Sequence, residues 1–149
     1  MSRLFFITGL PRSRTAWFSA FMSASGFPCL HEGMNNCLTN KEYKEKVKSI
    51  SDSNTGFIFI NNPYPDRPLL IIHRKGRFKN AEDQESKLYK MNGMHVDFDD
   101  INKRMPEIFK YLTGKCINND LYQTFKDLNI TTMVEMNIDA AKAIMNETS

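Results

Sequence analysis

Strand-like and helix-like stretches alternate along this chain, and the alternation predicts an α/β domain with a central, mostly parallel sheet. Three observations carry that expectation. The apolar run Leu4–Thr8 stops at Gly9 and gives way to Trp17, Ala20, Phe21 and Ala24, which is helical spacing. The run Leu69-Leu70-Ile71-Ile72 is apolar throughout, as a strand covered on both faces must be. From Ile101 onward, Met105, Ile108, Phe109 and Leu112 mark one face of an amphipathic helix.

Each element follows in order. Leu4–Thr8 is the first strand, with its helix near Thr15–Ser25. Phe27-Pro28-Cys29-Leu30 is a short second strand. Asn40 caps a helix whose apolar face is Tyr43, Val47 and Ile50. Ser51-Asp52-Ser53-Asn54 reads as a polar turn. Phe57-Ile58-Phe59-Ile60 fits either a buried strand or an apolar helical turn, which periodicity cannot separate. Asn61–Pro68 holds three prolines and is expected as a loop. Leu69–Ile72 is the central strand, ending in His73-Arg74-Lys75-Gly76-Arg77. Asn80–Lys90 is a highly charged, weakly amphipathic helix. Met94-His95-Val96-Asp97-Phe98 alternates like an edge strand. Asp99 or Asp100 caps the following helix, in which Pro106 marks a kink or a restart. Asp120 caps a helix with Leu121, Phe125 and Leu128 facing inward, and a last helix is expected over Asp139–Met145.

The 149 residues fit one domain, 1–149, with enough chain to bury a core. A net charge of +3 is too small to argue for nucleic acid. No apolar run reaches the roughly 20 residues of a membrane span. The N-terminus lacks the pattern of a signal peptide. Three cysteines, an odd number, argue against a disulfide framework, so a reducing cytoplasm is the expected location. Cys29, His31 and Cys37 have no common zinc spacing, and incidental or buried cysteines are the plainer reading.

The chemistry concentrates in Gly9-Leu10-Pro11-Arg12-Ser13-Arg14-Thr15. A strand, a glycine turn and a helix start form an anion site, because free N–H groups and the helix dipole both favour negative charge there. A Walker A loop would continue from Gly9 through four residues to Gly-Lys-Ser/Thr. Arg14, Thr15 and Ala16 stand in those places, so the lysine and the Mg²⁺-binding hydroxyl are missing. A second cationic strand end, Arg74-Lys75-Gly76-Arg77 with Lys79, would face the same crevice if its strand neighbours the first. The alternative for that cluster is a solvated basic loop.

The Gly9–Trp17 segment resembles the 5′-phosphosulfate loop of PAPS-dependent sulfotransferases, Gly-x-Pro-Arg/Lys-Ser-Gly-Thr followed by a large apolar residue. The chain departs from that pattern at Arg14, where the family has glycine. Leu69–Arg74 is similar to the family's second segment, a strand ending in an arginine that binds the 3′-phosphate. The serine expected about two helical turns later is absent; the sequence there is Asn80-Ala81-Glu82-Asp83, and Ser86 comes late. Met94–Ile101 resembles the family's strand, acidic pair and helix, and Tyr111–Gly114 with Asp120–Leu128 its downstream helices. The resemblance is strongest to the small sulfotransferase-like proteins of tailed phages, which would place the chain in the host cytoplasm.

That resemblance implies a compact three-layer P-loop-like fold and sulfuryl transfer from PAPS to a hydroxyl or amine. Gly9, Pro11, Arg12, Ser13, Arg14, Thr15 and Arg74 would bind the co-substrate. Arg12 would also stabilise charge on the bridging oxygen, and no metal would be needed. His31 or Glu32, just after the second strand, would take the acceptor proton. The plainer reading of that pair is a surface turn. Ser51-Asp52-Ser53 is a second candidate for holding acceptor hydroxyls, with a plain Asx or Ser turn the favoured reading. Two rival functions stay open. One is a non-catalytic nucleotide- or anion-binding protein on a degenerate sulfotransferase fold. The other, less favoured, is a P-loop nucleotide phosphotransferase, which would need Mg²⁺ and a strand-end carboxylate where His73-Arg74 stands.

Overall fold

In a computed structural model of the chain, residues 3–11, 13–35, 37–55, 64–74 and 82–130 are described. The strands are β1 (Phe6–Gly9), β2 (Cys29–His31), β3 (Ser51–Thr55), β4 (Leu69–His73) and β5 (Met94–Asp97). The helices are α1 (Thr15–Ala24), α2 (Asn40–Lys46), α3 (Glu82–Tyr89), α4 (Ile101–Thr113) and α5 (Asn119–Phe125). The strands form one sheet in the order β2-β3-β1-β4-β5, and every pairing is parallel. Helices cover both faces, which makes the three-layer P-loop-like α/β architecture.

Alternation along β1 and β4 assigns the faces. Phe5, Ile7, Leu70 and Ile72 pack with Trp17, Phe18 and Phe21 of α1, the Ile101–Leu112 stripe of α4, and Tyr122 of α5. Phe6, Leu69 and Ile71 pack on the other side with Tyr43, Val47 and Leu88. Each large apolar side chain buried in this way contributes about 1.5–3 kcal/mol. Three aromatic contacts, Trp17 and Phe21 on Tyr122 and Phe21 on Phe109, lock α1 to α5 and α4. The expected face of α4 is therefore correct, and the helix runs through Pro106 without a break. Gly114 ends it in a left-handed turn, with φ of 76°.

The largest departure from expectation is Ser51–Asn54. It forms most of β3, an interior strand between β2 and β1, and not a turn. The polar composition misleads because Ser51, Asp52 and Ser53 each have a partner supplied from elsewhere in the fold. Ser51 Oγ accepts from the Phe5 N–H, and Ser53 donates to the Thr15 carbonyl. Asp52 and Asn54 bond on the opposite face. Burial with partners costs little, so sheet pairing overrides propensity.

Smaller differences concern caps. Thr39, rather than Asn40, caps α2, accepting from the Glu42 N–H at 3.2 Å. Asp100 precedes α4 through a short 3-10 turn, without a side-chain cap bond. Asn118, rather than Asp120, caps α5 by accepting from the Leu121 N–H. Leu121 and Phe125 pack against the core as expected, Tyr122 is the residue of α5 that is buried, and Leu128 is exposed. The expected elements at Phe57–Ile60 and Asp139–Met145 lie outside the described residues. Among the described residues, no helix is long and apolar enough to cross a membrane.

Candidate functional site

β1 lies between β3 and β4, so its carboxyl end sits in the middle of the sheet edge. Gly9 is required there by close approach. A Cβ at this position would lie 3.0 Å from the Ile72 carbonyl oxygen and 3.2 Å from Ser13 Cβ. The loop thus folds back over Gly9, beside Ile72 of β4. Pro11 is exposed on its outside. Arg12 and Lys75–Arg77 with Lys79 lie outside the described residues.

Ser13 is fully buried, and its Oγ has no hydrogen-bond partner among the described residues. Arg14 takes the N-cap position of α1 with φ of 68° and makes no side-chain cap bond. The first turn of α1 is itself buried and carries no acidic residue. A buried helix start ordinarily has its N–H groups met by a side chain or a ligand. This loop therefore places an unpartnered hydroxyl next to a helix start that has no side-chain cap bond.

The two arginines at this edge have different surroundings. The Arg14 guanidinium points away into the α1–α4–α5 layer, over the Trp17 ring at 4.0 Å and onto Asn102 at 2.9 Å. Arg74 follows β4, the neighbour of β1, and stacks 3.7 Å above the Phe98 ring. The condition for a shared crevice, adjacency of the two strands, is met.

His31 ends β2, nearly buried, and Glu32 follows it with φ of 55°. Glu32 Oε1 accepts from both the N–H and the Oγ1 of Thr55, at 2.9 and 2.7 Å. Thr55 is in register with Gly9. The carboxylate is thereby brought to the strand beside the loop. His31 Nε2 is 4.0 Å from the same Glu32 oxygen, while its Nδ1 has no partner among the described residues. Burial pushes the His31 pKa below its usual value, with Glu32 opposing the shift. The imidazole is neutral near pH 7 and able to accept a proton. Cys29 is buried in the core, and no metal-ligand group forms with His31 and Cys37 among the described residues.

Sequence reasoning missed two polar clusters. In the first, Asp52 accepts from the Gly33 N–H at 3.0 Å, the Tyr43 hydroxyl at 2.6 Å and Asn54 Nδ2 at 3.1 Å. Burial raises its pKa to about 6 even though these three bonds favour the ionised form. In the second, His73 and His95 share a 2.7 Å hydrogen bond, and Tyr89 stacks on His73 with ring centres 3.7 Å apart. The Met91 carbonyl, 2.9 Å from His95 Nε2, can only accept. In the neutral pair, His95 thus donates through Nε2 and accepts through Nδ1, and His73 donates through its own Nε2. A signal was present: all three histidines of the chain fall on strands β2, β4 and β5.

Comparison of the chain with protein-family models, with curated proteins and with solved structures gives no match.

Proposed function

We propose that the β1–α1 loop binds the phosphosulfate of a nucleotide donor such as PAPS, and that the chain transfers the sulfuryl group to a hydroxyl or amine acceptor. The single observation that carries the anion site is the buried, unpartnered Ser13 Oγ beside the uncapped start of α1. The choice of donor rests on the resemblance of Gly9–Trp17 to the sulfotransferase loop. Loop N–H groups, Ser13, Thr15 and Arg12 hold the phosphosulfate, and Arg74 beyond β4 meets the far phosphate. In the transfer, the acceptor oxygen forms a bond to sulfur as the bond from sulfur to the bridging oxygen breaks. Arg12 opposes the charge left on that oxygen. The acceptor proton passes to His31 or Glu32. The neutral His31, whose buried Nδ1 has no hydrogen-bond partner among the described residues, is the better base, since one Glu32 oxygen already serves Thr55.

A second reading, a non-catalytic nucleotide or anion binder, is supported by the engagement of Arg14 and Glu32 in structural hydrogen bonds. Differential thermal stabilisation separates these readings, because a ligand that binds only the native state raises apparent stability by mass action. PAP should stabilise the chain, and Arg12→Ala should abolish the shift. Stabilisation by ATP-Mg²⁺ alone would transfer the assignment to the phosphotransferase class. PAP binding without turnover across a panel of acceptors would leave the non-catalytic binder. Sulfuryl transfer itself should survive EDTA. Its acid limb should lie below pH 6.5, the ordinary His31 value, because burial lowers that pKa.

A further inference from the structure

Arg14 stands where the resembled loop has glycine, and the backbone supplies the reason for a special residue there. Its φ of 68° is left-handed, a conformation free of strain for glycine and costly for a residue with a Cβ. The side chain offsets that cost through contacts far along the sequence. The guanidinium lies over Trp17, donates to Asn102 Oδ1 at 2.9 Å and reaches the Lys126 carbonyl at 3.4 Å. Tyr122 donates its hydroxyl to the same Asn102 oxygen at 2.8 Å. Trp17 Nε1 donates to the Phe125 carbonyl at 2.7 Å. One cation therefore ties the start of α1 to the start of α4 and the end of α5. Burial lowers the Arg14 pKa, yet a guanidinium in this range stays charged, so the tie is permanent across ordinary pH.

We propose that Arg14 is a positioning residue and not an anion ligand: it holds the loop in its left-handed turn, and through it the docking of α5 and the filling of the anion site reinforce one another. The proposal rests on the anion reading above. Two sites joined by one strained residue are linked reciprocally. Whatever steadies α5 steadies the N–H groups that meet the anion, and an anion on those groups steadies α5 in return.

The test compares Arg14→Gly with Arg14→Ala, using inorganic sulfate as the probe. Both remove the tether, but only alanine keeps the strain. Calorimetry should give Arg14→Gly a sulfate affinity within about twofold of the unaltered chain and Arg14→Ala an affinity about fivefold weaker, the size expected of one left-handed residue without compensation. A loss of about tenfold or more in Arg14→Gly would show a direct charge contact with the anion and overturn the proposal. Hydrogen exchange supplies the coupling arm. Sulfate should slow exchange of the α5 amides in the unaltered chain and leave them unchanged in Arg14→Gly and in Asn102→Ala. Equal protection in all three overturns the coupling. If sulfate does not bind the unaltered chain, the anion reading fails and the coupling with it. The sulfate-free exchange of α5, faster in Arg14→Gly if the tether holds, then decides the tether by itself.

Discussion

Ser13, in the loop after β1, and Asp52, in register with Phe6 at the start of β1, are both wholly buried polar side chains, and their surroundings could hardly differ more. Asp52, on β3, receives three hydrogen bonds, from a backbone N–H, a phenol and an amide. Ser13, in the loop after β1, has none among the described residues. Buried polarity with its partners in place is structure: removing it exposes the partners and destabilises the fold. Buried polarity without partners is a cost the fold carries for another purpose, and removing it should be harmless to stability. The contrast separates a structural polar cluster from a candidate binding site without reference to any relative.

The strongest way to break this comparison is Asp52→Ala, which strands the Gly33 N–H, the Tyr43 hydroxyl and the Asn54 amide together. Urea unfolding should show a loss of about 3–5 kcal/mol, the summed cost of leaving three buried donors without their acceptor. A loss under about 1 kcal/mol would mean that water replaces the carboxylate and that the cluster is not structural.

Gly9→Ala comes next. The added methyl would crowd the Ile72 carbonyl oxygen at 3.0 Å and Ser13 Cβ at 3.2 Å, so strand or loop must shift. Stability should fall by about 1–3 kcal/mol, as overpacking does, with sulfate binding lost alongside it. Intact sulfate affinity in that variant would place the anion elsewhere.

Asp52→Asn sharpens the comparison through pH. The folded-state pKa of about 6 lies above the ordinary 3.8, so the native state holds the proton more tightly than the unfolded chain does. Stability from this group is full below about pH 4 and is lost as pH rises toward 6, by roughly 3 kcal/mol in all. The asparagine variant should lack that slope between pH 4 and 6. An unchanged slope would assign it to other groups.

The smallest expected effect is Ser13→Ala. Removing an unpartnered hydroxyl should leave the melting temperature unchanged or slightly raised, while sulfate affinity falls about fivefold, the worth of one hydrogen bond of about 1 kcal/mol. A clear drop in stability would show that Ser13 already has a partner, and the contrast with Asp52 would collapse.

The amino-acid sequence by itself determined the parts in which local pattern and global fold agree. The β1–loop–α1 order, the β4 run and the α4 stripe are each dictated by a period of apolar residues, and the structure has all three. The glycine position in the loop was legible for a similar reason, since a strand that turns sharply into a helix needs a residue without a Cβ. Only the tertiary structure decided the rest. Ser51–Thr55 is an interior strand because Phe5, Thr15, Tyr43 and Gly33, none of them neighbours in sequence, supply its hydrogen bonds. Arg14 belongs to the α4–α5 side because Asn102 and Lys126 lie about a hundred residues away along the chain but against it in space. Glu32 reaches Thr55, and His73 reaches His95, only once parallel strands stand side by side. A polar side chain shows no period of its own. Its role depends on which partner long-range folding delivers, and a local pattern carries no record of that partner.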